Sequence, residues 1–351
     1  DPHASEYDRM HFTEGWFGGS MPDLNQENPY LADYLVQNTI WWIEFAGLAG
    51  IRMDTYPYSN KEFMNRWTCA VMQEYPDFNI VGEEWNNSPA IVSYWQRGKK
   101  NRDGYTSCLP SLMDFPVQAA MANALVNQEK RYGSGLIELY NKISHDFLYP
   151  DPYNMTIFTD NHDMDRLYTQ VGEDVALQKM AFAFVLTSRG IPQIYYGTEI
   201  LMDNTGHPGD HGIIRTEFPG GWEDHKVNAF TGKGLRPEQI EAQNYLRELL
   251  VWRQNSSPIH SGRLMQFIPE DGIYVYFRYH PSKEEQKLAK KEKVMVILNK
   301  NEEDQSLKLA RFAEMLEGTT SGKDPITGKQ YAMDSESIQV PGKSATILEI
   351  E

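Results

Sequence analysis

Three short apolar segments of the 351-residue chain each end in a carboxylate. The first covers residues 48–53, is interrupted by Arg52 and closes at Asp54; the second ends at Glu83 and the third at Asp163. Apolar runs of this length between turn residues are typical of buried strands in parallel sheets. A carboxylate at the end of such a strand is costly unless it is paired or takes part in chemistry.

Arg52 and Asp54 are two residues apart, so their side chains lie on the same face of a strand. Taken alone, this pair is explained equally well by a structural ion pair near a strand end. The two further carboxylates favour a functional interpretation. In a parallel β/α barrel the carboxyl ends of the strands converge on one face, where active sites lie.

Helix and strand patterns alternate along the chain as far as residue 261. Apolar residues recur at three- and four-residue steps in several segments, which predicts amphipathic helices. Such alternation is typical of βαβ units. Residues 1–28 have no helical period and predict a loop, in which Trp16 and Phe17 either line a cleft or pack against neighbours. The predicted helices cover 29–47, 61–74, 116–127, 136–147, 175–188 and 237–254.

The pattern changes after Gly262. Tyr274 and Tyr276 alternate with Val275 and Phe277, and further short strands are predicted over 294–298, 306–309 and 346–350. A period of two without helices predicts an antiparallel sandwich. The charged run 283–293 is interpreted as a solvated hairpin loop.

Five motifs resemble the α-amylase clan of retaining glycoside hydrolases. They are G-x-R-x-D at 50–54, G-E-x-W at 82–85, F-x-x-x-H-D at 158–163, M-P-D-L-N at 21–25 and G-I-P-Q-I-Y-Y-G at 190–197. The fourth is similar to the neopullulanase and cyclomaltodextrinase branch, and the fifth resembles the last barrel strand of the clan.

The resemblance implies an α/β fold, a (β/α)8 TIM barrel followed by a C-terminal antiparallel β-sandwich. The matched motifs are those of strands 4 to 8. Residues 1–28 would be a remnant of the loop excursion after the third barrel strand, 29–261 the C-terminal part of the barrel, and 262–351 the sandwich. We therefore expect the chain to be the C-terminal portion of a longer enzyme, and to be poorly soluble or to associate when alone.

The resemblance also implies roles for the carboxylates. Asp54 would be the nucleophile and Glu83 the general acid and then base. Arg52 would hold Asp54 ionised, since a nearby cation lowers the pKa of a carboxylate. Asp163 would stabilise positive charge on the sugar, and Glu84 is expected to face away from the site.

Four further residues would bind substrate by resemblance: Trp85, His162, Asp210 and Arg215. His162 is placed beside Asp163, with a structural histidine as the alternative. Asp210 and Arg215 lie in the long loop 203–233 and resemble the acid–arginine pair with which the clan grips a sugar, although their spacing departs from the commoner pattern.

The implied activity is hydrolysis of α-1,4-glucosidic bonds in maltodextrins, cyclodextrins or pullulan. A glucan transglycosylase of the same clan and a catalytically silent starch-binding protein are the alternatives. No cofactor is required by this chemistry, and calcium stays open as a bound ion. The expected partners are α-glucan oligosaccharides, with either a second copy or the N-terminal portion of the enzyme as a protein partner.

The composition suits a neutral or a cationic ligand, so it permits a sugar without indicating one. A net charge of -16, from 49 acidic and 33 basic residues, repels nucleic acid and anionic membrane surfaces. The only cysteines, Cys69 and Cys108, are predicted to be buried thiols rather than a disulfide. By resemblance the location is periplasmic or cytoplasmic, with the periplasm slightly preferred.

Overall fold

The computed structural model describes residues 3–13, 15, 17–127, 133–280 and 293–351. The chain divides into two compact units, the first formed by Asp1–Pro116 and His145–Thr156 and the second by Val117–Ser144 and Ile157–Glu351. The predicted domain boundaries at 28/29 and 261/262 stay a prediction. Trp16 and most of the charged run, residues 283–292, lie outside the described residues.

The helices, in chain order, are α1 (Glu6–Thr13), α2 (Pro29–Ala46), α3 (Lys61–Glu74), α4 (Pro89–Val92), α5 (Phe115–Val126), α6 (Leu136–Ser144), α7 (Leu167–Gln170), α8 (Val175–Thr187), α9 (His211–Ile214), α10 (Pro237–Arg253), α11 (Ser257–Ser261) and α12 (Ala313–Leu316). The strands are β1 (Gly50–Met53), β2 (Asn79–Gly82), β3 (Ser111–Leu112), β4 (Thr156–Phe158), β5 (Ile191–Gln193), β6 (Arg263–Glu270), β7 (Ile273–Tyr279), β8 (Lys293–Asn299), β9 (Gln305–Lys308), β10 (Ser321–Lys323), β11 (Gln330–Ala332), β12 (Ser337–Val340) and β13 (Ser344–Ile350).

The first unit is built on a parallel sheet in the order β1-β2-β3. The register pairs Met53 of β1 with Gly82 of β2, so that Asp54 and Glu83 each follow at the same edge of the sheet. Met113 makes a parallel bridge to Thr156 and continues the series. The sheet therefore delivers its two acids side by side, as the motif spacing predicted.

Side-chain caps start both long helices of this unit. The Asn28 side chain accepts hydrogen bonds from the second and third residues of α2, and Asn60 accepts one from Phe63 at the start of α3. Gly47 ends α2 with a φ of 62°, a left-handed conformation that favours glycine. Buried residues of α2, α3, β2 and the loop before β3 then form one apolar core, which includes Val36, Trp67, Ile80 and Leu109.

Two predictions about this unit are wrong. Residues 6–13 form α1 rather than loop, because Ser5 caps the helix by accepting from Asp8 N and acidic residues occupy the first turn. No residue of α1 is buried, so no apolar period marked it. The strand before Asp54 was expected to be buried, yet β1 alternates between exposed and half-buried residues because it lies at the edge of its sheet. Phe17 packs edge-on against Tyr58.

The prediction of two buried thiols is also wrong. Cys69, on α3, and Cys108, in the loop before β3, form a disulfide, and both residues are half-buried. The two positions lie 39 residues apart, so only the packing of α3 beside this loop brings the sulfur atoms together.

The second unit contains β4 paired with β5 and a larger antiparallel sheet in the order β11-β10-β13-β8-β7-β6. Alternate residues of β7 and β8 enter two different cores. Tyr274 and Val296 face a core that includes the fully buried residues of α8, whereas Val275 and Ile297 face a core shared with the β9–β12 pair and α12. The predicted C-terminal antiparallel domain is therefore confirmed, with both faces of its larger sheet covered.

Within the described ranges, no helix combines the length and apolar character needed to cross a lipid bilayer.

Candidate active site

Arg52 binds two carboxylates at the carboxyl edge of the first unit's sheet. Its Nη1 lies 2.6 Å from Asp54 Oδ1, and its Nη2 lies 2.8 Å from Glu83 Oε1. The two acids differ in environment, because the Asp54 side chain is 64% exposed and that of Glu83 only 6%. The predicted grouping of Arg52, Asp54 and Glu83 is what the structure contains, with the addition that Arg52 holds both acids.

The backbone fixes Glu83 at this edge. Its N–H donates to Met53 O, its carbonyl accepts from Tyr56 N, and its Oε2 accepts from Thr55 N at 2.9 Å. Thr55 has a φ of 46°, a left-handed conformation that is uncommon for a residue other than glycine. Gly82 precedes Glu83 because a Cβ there would lie 2.7 Å from Leu109 Cδ2.

Burial raises the pKa of Glu83 above its ordinary value. The Thr55 N–H and the Arg52 guanidinium oppose this shift, since both favour the charged carboxylate. The neighbouring Asp54 raises the pKa again through its charge and a hydrogen bond. A carboxyl group that keeps its proton is suited to donate it to a leaving group.

Glu84 was expected to face away as a secondary residue, but it is as buried as Glu83. Burial raises the pKa of Glu84 to about 7, a hydrogen bond from Trp95 lowers it, and the charge of Glu83 raises it. Burial raises the pKa of Tyr58, and the charges of Glu84 and Glu83 raise it further. The sequence signal was present in the doubled acid of Gly-Glu-Glu-Trp, but strand alternation gave no reason to bury both members.

Trp85 follows the doubled acid and stacks on Phe115, with ring centroids 4.8 Å apart and planes inclined by 17°. It stays 44% exposed, so one face of the indole is available to a ligand. The role of Trp85 in substrate binding stays a prediction.

The second unit contains a separate polar cluster around Asp163. Its Oδ2 lies 3.0 Å from His162 Nε2, and its Oδ1 pairs with Arg215 Nη2. Arg215 also donates from Nε to the His162 carbonyl at 2.9 Å, and its Nη2 lies 3.2 Å from His211 Nδ1. The structure thus brings together three predicted residues, His162, Asp163 and Arg215, and adds His211, which the sequence did not single out.

The Asp210 side chain caps a short helix. Its Oδ1 accepts hydrogen bonds from Gly212 N at 2.8 Å and Ile213 N at 3.2 Å, which makes it the cap of α9. Arg215 ends the same helix and reaches Asp163. These contacts do not test sugar binding by Asp210 and Arg215, which stays a prediction.

A buried arginine, Arg166, connects the chain segments next to this cluster. Arg166 is fully buried, donates to the carbonyls of Tyr196 and Ile214, and lies over the Tyr195 ring at 4.3 Å. These bonds connect the segment after Asp163 to Tyr196, in the loop after β5, and to the residue before Arg215.

The described residues contain no group of three or more His, Cys, Asp or Glu side chains arranged to hold a metal ion.

Two family models match the sequence. The one described as the catalytic domain of alpha amylase covers residues 8–274. The one described as the C-terminal domain of cyclo-malto-dextrinase covers residues 264–349.

Curated relatives with similar sequences include three bacterial proteins. A maltogenic alpha-amylase of Bacillus acidopullulyticus is 27% identical over 84% of this chain and 44% of the relative. A cyclomaltodextrin glucanotransferase of Geobacillus stearothermophilus is 28% identical over 91% and 39%, and a cyclomaltodextrinase of a Bacillus species is 30% identical over 54% and 32%. The chain spans less than half the length of each of these relatives.

Solved structures agree at the level of the fold. An alpha-amylase from Geobacillus thermoleovorans, solved in complex with acarbose, matches 99% of this chain and 70% of its own, with a TM-score of 0.77 and 22% identity. A cyclomaltodextrin glucanotransferase, CldA, matches 98% and 64%, with a TM-score of 0.73 and 21% identity.

Proposed function

The chain belongs to the alpha-amylase family, and from this premise we propose that it carries the nucleophile and the general acid of a retaining hydrolase of α-1,4-glucosidic bonds. The substrates proposed are maltodextrins, cyclodextrins or pullulan. One observation carries the proposal. A single guanidinium, that of Arg52, binds an exposed carboxylate and a buried one. Such a difference in environment allows one carboxyl group to act as the nucleophile and the other as the general acid.

In the first step, Asp54 attacks the anomeric carbon while Glu83 donates its proton to the departing glycosidic oxygen. The bond between the anomeric carbon and that oxygen breaks, and a covalent glycosyl ester with Asp54 forms. Retention requires the two carboxyl groups to lie about 5–5.5 Å apart. The Arg52 guanidinium, which binds both carboxylates, supports such a short separation.

In the second step, Glu83 acts as the base. It takes a proton from water, the water oxygen attacks the anomeric carbon, and Asp54 leaves as a carboxylate. The Thr55 N–H and Arg52 stabilise the ionised form of Glu83 that this step starts from. Asp163, whose two oxygens are held by His162 and Arg215, is proposed as the carboxylate that binds sugar hydroxyls and stabilises positive charge.

We further propose that β1 to β5 are the fourth to eighth strands of the TIM barrel. The order of the five motifs along the chain supports this assignment, as does the parallel series from β1 through β3 to Thr156.

Glucan transfer is the second candidate. It differs only in the acceptor that attacks the glycosyl ester, and the likeness to a cyclomaltodextrin glucanotransferase favours it. Products formed from maltoheptaose with and without added glucose distinguish the two, because transfer gives chains longer than the substrate.

The disulfide supports a location. Disulfides persist in oxidising compartments and are rare in the cytosol. We therefore propose that the protein is periplasmic, and the Cys69–Cys108 bridge supports this proposal. Thiol alkylation of protein from intact cells tests this, since a cytoplasmic protein would be labelled at both cysteines.

The test of the proposed reaction uses D54N and E83Q in the protein that carries this chain. D54N should abolish hydrolysis of maltoheptaose and of an aryl maltoside, since no glycosyl ester forms. E83Q should lose maltoheptaose hydrolysis but still react with an activated aryl maltoside, whose leaving group needs no proton. The matched control is D77N, an exposed acid in the turn before β2, which should behave as wild type.

Three outcomes would contradict the proposal. They are wild-type rates in D54N, equal losses on both substrates in E83Q, and a wild-type protein that binds maltoheptaose without turnover. The last would indicate the starch-binding alternative.

A further inference from the structure

An exposed tryptophan in the loop after α9 is oriented by a hydrogen bond from its indole N–H. Trp222 is 64% exposed, yet its Nε1 donates to Glu217 Oε2 at 2.5 Å. Glu217 Oε1 lies 2.9 Å from His225 Nε2, and His225 Nδ1 accepts from Gly220 N at 2.8 Å. Because Nδ1 accepts, Nε2 carries the proton of a neutral His225 and donates to Glu217. We call these three side chains the Trp222 brace.

The backbone around the Trp222 brace is fixed. Gly220 has a φ of 105°, and a Cβ there would lie 2.7 Å from Asn228 Cγ, so glycine alone fits. Ala229 N donates to Pro219 O at 3.0 Å, and Tyr196 Oη donates to Thr216 O at 2.9 Å. The loop is therefore tied at both ends, and the indole cannot turn away without losing its bond to Glu217.

The Trp222 brace lines an open depression of about 670 Å³, together with Glu223 and Asp224. An exposed indole in a fixed orientation offers a flat apolar face, and aromatic residues combine such a face with a polar edge. The apolar C–H face of a pyranose fits the ring, while its hydroxyls donate to carboxylates beside it. Both oxygens of Glu217 already accept from N–H groups, so the acceptors for sugar hydroxyls are the carboxylates of Glu223 and Asp224, which line the same depression.

We propose that the Trp222 brace is a glucan-binding subsite that takes one glucose unit of a longer α-glucan. The inference deepens the proposed function and rests on it for the identity of the sugar. Its place in the chain supports it, since Glu217 follows two residues after Arg215, which pairs with Asp163 in the same unit.

The test compares W222A, W222F and E217Q in the protein that carries this chain, with F230A as the matched control. Phe230 is an exposed aromatic residue of the same loop, 73% exposed, and packs on Phe218. Calorimetry with each variant in a D54N background, which removes turnover, gives the Kd for maltoheptaose, and kinetics without D54N give KM for maltoheptaose and for a short aryl maltoside.

We expect W222A to raise the Kd and KM for maltoheptaose about tenfold, as expected for loss of one aromatic contact. The effect on the short substrate should be much smaller. W222F keeps a ring without the N–H and E217Q weakens the brace, so both should raise the Kd by less than W222A. F230A should leave all three constants unchanged.

Equal losses on long and short substrates, or an unchanged Kd in W222A, would overturn the subsite, as would a wild-type protein that does not bind maltoheptaose. If W222A does not fold, an unchanged Kd in both W222F and E217Q overturns it. A protein that binds maltoheptaose but does not hydrolyse it refutes the proposed reaction alone, because the Kd comparison still decides the subsite.

Discussion

Replacing Glu84 with glutamine should change how the stability of the protein depends on pH. Burial raises the pKa of Glu84 from 4.5 to about 7 in the folded protein. The folded state therefore holds this proton more tightly than the unfolded state does. The stability that the proton contributes is fully present below pH 4.5 and is lost as the pH rises to about 7.

The magnitude follows from the shift. Each pH unit corresponds to about 1.4 kcal/mol, so the free energy of unfolding should fall by about 3 kcal/mol between pH 4.5 and 7 on account of Glu84. Glutamine keeps an oxygen that can accept from Trp95 but has no charge. E84Q should therefore lack this decline and should exceed wild type above pH 7 by about 3 kcal/mol more than it does at pH 4.5.

Urea unfolding at half-unit steps from pH 4 to 8 measures the difference. E83Q is a second test, because removing the charge of Glu83 should lower the pKa of Glu84. W95F should have the opposite effect, since the hydrogen bond from Trp95 lowers the pKa of Glu84. Parallel pH profiles for wild type and E84Q would refute the assignment of a buried, protonated Glu84.

Three further predictions concern the first unit. Reducing the Cys69–Cys108 bridge, which spans 39 positions, should lower the free energy of unfolding by about 4 kcal/mol; C69S should match reduced wild type and should not respond to reductant. Gly82→Ala should cost about 1–3 kcal/mol and impair activity, because its Cβ would meet Leu109; L109A in the same protein should restore part of the activity, and an unimpaired single variant would contradict the close approach. Asn60→Ala should cost about 1 kcal/mol by removing the cap of α3, with Asn60→Asp close to wild type in thermal unfolding.

Local chemistry made the longer elements predictable. The helix α2 begins at an Asn-Pro cap, has an apolar period and ends at Gly47, so its bounds follow from the sequence. The helix α1 has the Ser5 cap but no buried face, and a search for apolar periodicity missed it. Strand β1 was predicted in place but not in exposure, because its position at a sheet edge depends on the pairing of distant strands.

For the site, too, the residues could be predicted from local sequence, whereas their contacts could not. The motifs indicated Asp54, Glu83 and Arg52, and the parallel register puts the two acids beside each other. That Arg52 binds both acids depends on this register, which the sequence does not encode locally. The burial of Glu84 was not predicted, because its hydrogen bond with Trp95 joins residues that strand alternation does not bring together. The disulfide was missed for a similar reason, since it joins α3 to a loop close to it only in three dimensions.

The position of β13 has a consequence for the order in which the second unit can assemble. This strand is synthesised after the other described strands, yet it pairs with β8 on one side and β10 on the other. Until it emerges from the ribosome, β6–β7–β8 and β10–β11 are separate hairpin-like pieces with open edges. The equivalent strand of a neighbouring nascent chain could fill the gap between them. Spacing between ribosomes on the message should therefore govern the yield of chains in which β13 pairs within its own sheet.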